Sequence, residues 1–250
     1  MAPGEDSLRR QRELVALWEA LAPARRDACG AGERDATATA YRALGAAAAA
    51  NGDAQAALDL WAQAVALLDA DADAGSAAER DARTYRVAAL HLGRADLLRA
   101  RGDGVEAVAA YAAAIERWQA LQRRASELYT AELADVLAHS SFEQARLQLA
   151  AGDAAAAARA AARATATWSA AAGEREQPEP QRLDALANGY GFQGAALRRL
   201  GERAAARQCF AQAATLWDSL QSELGAATPP GLLQRLALAR QQIDELDAGA

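Results

Sequence analysis

The chain of 250 residues is acidic and alanine-rich, and these properties already argue against several functions. Its formal net charge is −6, whereas a nucleic-acid surface needs a basic stripe. The only two cysteines, Cys29 and Cys209, lie far apart, so a disulfide-built fold is not expected and a reducing compartment is consistent. Met1–Arg12 lacks the apolar segment of a signal peptide, and charges interrupt the long apolar runs. We therefore expect a cytoplasmic protein that does not enter a membrane and does not bind nucleic acid.

Alanine, the strongest helix former, accounts for 75 of the 250 residues. The spacing of the apolar residues predicts about ten helices and no sheet. In chain order the predicted helices are Ser7–Leu21, Glu33–Ala50, Asp53–Asp69, Ser76–Ala100, Asp103–Leu121, Glu127–Ala150, Asp153–Ala172, Gln181–Leu200, Glu202–Leu224 and Leu232–Leu246. The main breaks are predicted at Ala28–Gly32, at the acidic linker Asp69–Gly75, at Gln122–Ser126 and at the loop Gly173–Pro180.

Four dipeptides of glycine and an acidic residue separate pairs of these helices. The glycines are Gly52, Gly102, Gly152 and Gly201, at intervals of 50, 50 and 49 residues. Glycine can adopt the left-handed conformation that ends a helix. The acidic residue after it can accept hydrogen bonds from the first free N–H groups of the next helix. Each dipeptide is therefore predicted to be the hinge of an antiparallel helical hairpin.

A recurring tryptophan supports the same period. Trp18, Trp118, Trp168 and Trp217 follow one another at intervals of 100, 50 and 49 residues, and Leu68 stands at the missing step. The last three lie 16 residues after their hinge glycine. We expect them to be buried packing residues that fill the space left by small alanine side chains.

Small residues also recur at fixed distances from each hinge glycine. Seven residues before it stand Gly45, Ala95, Ala145 and Gly194; five after it stand Ala57, Ala107, Ala157 and Ala206; twelve after it stand Ala64, Ala114, Ala164 and Ala213. Nine residues after it an aromatic residue stands in three repeats, as Trp61, Tyr111 and Phe210, with Ala161 the departure. In this pattern residues 33–224 resemble the tetratricopeptide repeat (TPR) family, whose small residues let the two helices of a hairpin touch.

The resemblance implies an all-α fold, a right-handed superhelical array of antiparallel hairpins. We expect one domain over residues 1–250, with a leading half repeat at 7–21, four hairpins at 33–224 and a capping helix at 229–247. The period is about 50 residues rather than the usual 34, and the proline that follows the second TPR helix is missing. Each helix should therefore be longer than in a standard TPR by about two turns.

Nothing in the sequence predicts an enzyme, a cofactor or a metal site. The two histidines, His91 and His139, have no cysteine or carboxylate at ligand spacing, and Ser140 and Ser141 lack a convincing third partner for nucleophilic catalysis. The segment Gly189–Gly194 matches G-x-G-x-x-G, but it lies inside a predicted helix with no strand before it, so a dinucleotide site is rejected.

Two glycines of that segment have no TPR role, and each weakens a helix by roughly 1 kcal/mol relative to alanine. Gly189 and Gly191 therefore permit two interpretations. They allow either a close helix contact or room for a ligand.

In TPR proteins the first helix of each hairpin lines a concave groove. The lining residues that the resemblance implies here are Arg42, Leu92, Asp96, Arg99, His139, Phe142, Arg146, Asn188, Gly191 and Arg198. The set holds more arginine than acid in an otherwise acidic chain, and arginine binds carboxylates bidentately. We expect an acidic or C-terminal peptide segment to bind Arg99, Arg146 and Arg198.

These features are consistent with two functions, and neither of them is catalytic. The sequence favours a non-catalytic scaffold that binds a protein or peptide on the concave face of a TPR-like array. The alternative is a regulatory protein that senses a peptide or small ligand in an enclosed pocket near Phe142, Gly191 and Phe192. The sequence indicates no oligomeric state.

Overall fold

A computed structural model describes residues 5–173 and 179–248. These residues form eleven α-helices and one 3-10 turn, and none of them lies in a strand. The helices are α1 (Glu5–Ala20), α2 (Pro23–Asp27), α3 (Ala31–Ala50), α4 (Ala54–Ala70), α5 (Ala77–Arg101), α6 (Gly104–Arg123), α7 (Ala131–Ala150), α8 (Ala154–Gly173), α9 (Pro180–Arg199), α10 (Arg203–Leu224) and α11 (Pro230–Ala248). The predicted all-α array is confirmed.

The chain divides into two compact units, Met1–Leu128 and Tyr129–Ala250. In the first unit α3 pairs with α4 and α5 with α6, while α1 packs on α3 and α4 on α5. In the second unit α7 pairs with α8 and α9 with α10, while α8 packs on α9 and α10 on α11. The extension of one array over residues 1–250 stays a prediction.

All four hinge glycines close a helix in the predicted way. Their φ angles are +83° at Gly52, +88° at Gly102 and Gly152, and +77° at Gly201. At the first hinge, the N–H of Gly52 donates to the Ala49 carbonyl at 3.0 Å and the N–H of Asp53 donates to the Ala48 carbonyl at 2.9 Å. This pair of bonds is the Schellman motif. The predicted side-chain cap forms in two hinges, through Asp53 and Asp153, and does not form at Asp103 or Glu202.

The small residues of the TPR pattern lie where the two helices of each hairpin touch. The alanines five and twelve residues after the hinge glycine are all fully buried: Ala57, Ala64, Ala107, Ala114, Ala157, Ala164, Ala206 and Ala213. A Cβ on Gly45 would lie 2.5 Å from the Trp61 ring, and one on Gly194 would lie 3.1 Å from the Phe210 ring. Each of these glycines therefore makes room for the aromatic residue nine positions after its own hinge.

The recurring tryptophans are buried, as predicted. Trp118 and Trp168 are each 1% exposed, Trp217 is 4% exposed and Trp18 is 8% exposed. Leu68, at the step without tryptophan, is also buried. These side chains pack at the end of each second helix, in the part that makes these hairpins longer than a standard TPR.

Two details of the predicted boundaries are wrong. The helix predicted from Glu127 begins at Ala131, because the Thr130 hydroxyl caps it by accepting from the Leu133 N–H at 3.3 Å. The region after Leu21 is not only a break, since Pro23–Asp27 forms a short helix with proline at its first position. Within the predicted loop Gly173–Pro180, residues 174–178 lie outside the described residues.

We predict that Trp118→Ala lowers the free energy of unfolding by about 3–5 kcal/mol, because it removes a fully buried aromatic side chain and leaves a cavity. Val105→Ala on the same helix α6 is the control: Val105 is 78% exposed, so its truncation should change stability by no more than about 0.5 kcal/mol. Denaturant unfolding followed by circular dichroism measures both values. Equal losses for the two variants would contradict the packing role of Trp118.

Candidate functional site

A mostly apolar cleft of the second unit is bordered by α7, α9, α10 and α11. Its volume is about 410 Å³. We call it the α11 cleft, and its lining residues are Phe142, Asn188, Gly191, Phe192, Ala195, Phe210, Trp217, Arg235, Leu238, Ala239 and Gln242. The volume falls within the range of about 300–1,000 Å³ that is typical of small-ligand pockets.

Four aromatic rings give the cleft its apolar surface. Phe142 on α7 and Phe192 on α9 meet edge to face, with ring centroids 5.5 Å apart. Phe210 and Trp217 come from α10, and both are buried. Leu238 on α11 also lines the cleft and is 56% exposed. The cleft therefore offers an aromatic wall and one exposed aliphatic edge.

Asp184 fixes the polar groups at one side of the cleft. Its Oδ1 accepts from the Trp217 Nε1–H at 2.8 Å and from Arg235 Nη2 at 2.8 Å. The Arg235 guanidinium lies 5.8 Å from the Trp217 ring centroid, within cation–π range. The Asn188 amide donates to the Asp184 backbone carbonyl at 2.7 Å. Arg235 thus brings no net charge to the cleft, because a carboxylate already neutralises it.

Helix α11 forms one wall, and ion pairs attach its C-terminal half to the preceding hairpin. Gln242 Oε1 accepts a hydrogen bond from Arg198 Nη1, and Arg198 also pairs with Glu245 at 2.9 Å. Arg207 pairs with Asp247 at 2.6 Å, and this hydrogen bond lowers the pKa of the Asp247 carboxyl. Because these pairs are exposed, each adds little stability.

Buried apolar residues hold α11 more strongly than its ion pairs do. Leu232, Leu236, Ala239 and Leu246 are all buried and follow one another at helical spacing. They form one apolar stripe along this helix. Arg182 of α9 pairs with Asp135 of α7, which ties these two helices together.

Three of the ten predicted groove residues line the α11 cleft: Phe142, Asn188 and Gly191. A fourth, Arg198, contacts the lining residue Gln242. His139 is exposed on α7 and packs edge-on against Trp168, with ring centroids 4.9 Å apart. Arg146 is exposed and pairs with Glu143 of its own helix at 2.9 Å.

The other four predicted residues lie in the first unit. Arg42 is exposed on α3, and its backbone carbonyl accepts from the Trp61 Nε1–H at 3.1 Å. Leu92 is half-buried on α5. Asp96 and Arg99 are both exposed and meet the same phenol: the Tyr111 hydroxyl donates to Asp96 at 2.5 Å and accepts from Arg99 Nε at 3.3 Å.

Each of the three arginines proposed to bind an acidic peptide lies beside an acidic side chain. Arg99 is near Asp96, at 3.9 Å, Arg146 pairs with Glu143 and Arg198 pairs with Glu245. The predicted groove set contains the arginines but omits their acidic partners Glu143 and Glu245, so it overstates the positive charge of the groove. The local charge is therefore more balanced than the sequence pattern suggests.

The two unexplained glycines have different roles. A Cβ on Gly189 would lie 2.8 Å from Thr165 Cγ2 and 3.2 Å from the Trp168 ring, so this glycine permits a close contact between α8 and α9. A Cβ on Gly191 would lie 3.4 Å from the Trp217 ring, which is an ordinary contact. Gly191 lines the cleft instead. Close helix packing therefore explains Gly189, whereas Gly191 borders the open space of the cleft.

The groups considered for chemistry are engaged in the fold. The Ser140 and Ser141 hydroxyls donate to carbonyls of their own helix, at 2.7 and 2.9 Å. Burial raises the pKa of the Cys209 thiol, which disfavours the reactive thiolate. Among the described residues no group of three or more His, Cys, Asp or Glu side chains is placed to hold a metal ion. None of the described helices is long and apolar enough to cross a membrane.

The half of the cleft that α10 and α11 contribute is not predicted by the sequence pattern. Phe210 and Trp217 were expected only as residues of the repeat pattern, and the predicted groove set includes no residue of α11. Their shared role depends on how α11 packs against α10, which no local pattern specifies. The 50-residue period nevertheless offers one indication that α11 contributes to the cleft. Gln242 lies 50 residues after Phe192, and both residues line it.

Comparison with solved structures agrees with this architecture. BtubC (BKLC) from P. vanneervenii is similar over 90% of this chain and 77% of its own, with a TM-score of 0.52 and 16% sequence identity. The fold is that of a TPR-like helical repeat. A crystal structure of kinesin light chain TPR-like repeats from Podosopora anserina gives a TM-score of 0.47 at 20% identity, over 83% of this chain and 90% of that one. No protein-family model and no curated protein matches the sequence of this TPR-like chain.

We predict opposite effects for alanine at the two glycines. Gly191→Ala should stabilise the protein by about 0.5–1 kcal/mol, because helix propensity improves and its Cβ meets only an ordinary contact. Gly189→Ala should destabilise it by about 1 kcal/mol, because the overlap with the buried Thr165 outweighs the same gain. Thermal unfolding of both variants beside the wild type checks the signs. Stabilisation by both substitutions would contradict the close α8–α9 contact.

Proposed function

We propose that this TPR-like protein is a non-catalytic scaffold that binds a protein or peptide, and that the α11 cleft takes an apolar side chain of that partner. One observation carries the proposal: four aromatic rings surround a space of about 410 Å³ whose edge includes an exposed leucine. Aromatic residues in a concave pocket are the usual anchor sites of protein interfaces. A cleft of this kind contributes affinity through burial of apolar area.

The polar groups of the cleft suit a peptide. Asn188 and Gln242 carry amide side chains, which can each donate and accept hydrogen bonds with a peptide backbone. Arg235 is neutralised by Asp184, so the cleft does not favour a charged ligand group. We therefore propose that the apolar contact contributes more to partner binding than contacts with the arginines do. An acidic segment that bound Arg146 or Arg198 would have to displace Glu143 or Glu245.

A second candidate function is ligand sensing. The cleft lies beside Phe142, Gly191 and Phe192, which is the position where a sensing pocket was expected. Its wall α11 closes the site from one side and would respond to an occupant. Sensing would require a small apolar ligand that changes the packing of this helix, whereas a scaffold requires only an accessible anchor.

We predict that Leu238→Glu lowers the affinity for peptides selected on the wild-type protein by at least tenfold, because it places a charge at the edge of an apolar site. The peptides come from a random display library, and fluorescence anisotropy measures their affinity. Binding should depend little on salt, because the main contact is apolar.

Leu233→Glu is the matched control. Leu233 is on the same helix and 41% exposed, but it does not line the cleft. It should leave affinity unchanged. Equal losses for the two leucine variants would reject the cleft as the binding site. Loss of binding in Arg146→Glu, together with strong weakening by salt, would favour the arginine groove instead.

A further inference from the structure

The junction between α7–α8 and α9 is filled by a chain of aromatic rings. The His139 ring contacts the Trp168 ring at a centroid distance of 4.9 Å, and Phe142 lies 6.0 Å from the same tryptophan. Phe192 of the next hairpin then meets Phe142 at 5.5 Å. Phe192 also packs over Ala161, the position where the other repeats carry an aromatic residue. A ring from the following helix thus replaces the ring that this repeat lacks.

At the junction between α9–α10 and α11, most of the equivalent repeat positions hold residues without an aromatic ring. Counted from the hinge glycine, Asn188 stands at the position of His139, Gly191 at that of Phe142 and Trp217 at that of Trp168. Only the tryptophan keeps its ring. All three residues line the α11 cleft.

Helix α11 follows the register of α9, so its residues can be compared with those of α9 directly. Leu232, Leu236, Ala239 and Leu246 are buried, and each lies 50 residues after a buried residue of α9: Arg182, Leu186, Gly189 and Ala196. The residue 50 positions after Phe192 is Gln242, which also lines the cleft. The fourth ring of the chain is therefore absent as well.

In the first unit, a ring occupies the corresponding position of the junction between α3–α4 and α5. A Cβ on Gly93, at the position of Phe192, would meet the Trp61 ring at 3.4 Å. There the indole of the preceding helix occupies the space. At the α11 junction Phe210 supplies one ring, and a space of about 410 Å³ nevertheless remains.

We infer that the α11 cleft binds an aromatic side chain of the partner peptide, in the place that Phe142 and Phe192 occupy one repeat earlier. This inference rests on the proposed function and names the anchor residue of the ligand. The inserted ring would meet the Trp217 ring as Phe142 meets Trp168, and would contact Phe192 and Phe210 at its edges. Asn188 and Gln242 would hydrogen-bond the peptide backbone on either side.

The test uses two small probes that differ in the ring. N-acetyl-phenylalaninamide and N-acetyl-leucinamide are titrated into ¹⁵N-labelled protein, and amide shifts are followed by two-dimensional NMR. Millimolar affinity is expected for ligands of about fifteen non-hydrogen atoms. The phenylalanine probe should bind about 3- to 10-fold more tightly, because ring pairs add to area burial. Its shifts should centre on Gly191 and the Trp217 indole.

Gln242→Phe restores the missing ring within the chain and should abolish binding of the phenylalanine probe. Gln241→Phe is the matched control, because Gln241 is exposed, lies on the same helix and does not line the cleft. It should bind the probe as the wild type does. Wild-type shift positions and the affinity ratio test the inference even if a variant fails to fold.

The outcomes separate this inference from the proposed function. Equal or tighter binding of the leucine probe would overturn the aromatic anchor while leaving an apolar peptide site in place. Shifts outside the cleft, or no shifts, would also overturn it. If in addition Leu238→Glu leaves selected peptides bound, the proposed function itself fails.

Discussion

The close approach of two helices within each hairpin is the constraint on which this structure depends. It requires very small residues at three positions of every repeat, and these positions hold alanine or glycine throughout. Small side chains bring the helices together, but they leave little volume to fill the junctions between hairpins. Aromatic rings must supply that volume, and they come from different elements: Trp61 at one junction, Phe192 at another. Interiors tolerate few voids, and at these two junctions a ring fills the space that small side chains leave.

The local features of the fold could be predicted from sequence because they are determined within one hairpin. A hinge glycine with positive φ and the alanines around it involve residues at most about twenty positions apart, and their pattern recurs four times. The start of α7 was wrong for a local reason of the same kind: the Thr130 cap was not recognised where Gly and Pro are missing. Periodicity therefore predicts hairpins reliably and individual caps less well.

The candidate site could be predicted only in part, because it depends on contacts between hairpins. Phe142, Asn188 and Gly191 belong to first helices, where the TPR pattern predicts a groove. To predict the wall from α10 and α11, one must know that Gln242 and Gly191 line the same cleft, which follows from tertiary packing. The local charge of the site was even harder to predict from the sequence. Glu245 neutralises Arg198 from 47 positions along the chain, and Asp184 neutralises Arg235 from 51 positions away, so counting charges in one helix overstates its potential.

The mode of attachment of α11 determines what kind of site it can form. Its exposed ion pairs with Arg198, Arg207 and Asp218 contribute little each, whereas its buried apolar stripe contributes most of its attachment. A wall held by apolar burial keeps its position when ionic strength changes. In the function that we propose, the size and aromatic lining of the cleft would therefore select the ligand, and charge would have a minor part in that selection. A binding site built in this way needs no residue that is foreign to the repeat. The proposed site lies where the repeat continues, and glycine and amide side chains stand at positions that hold rings one junction earlier.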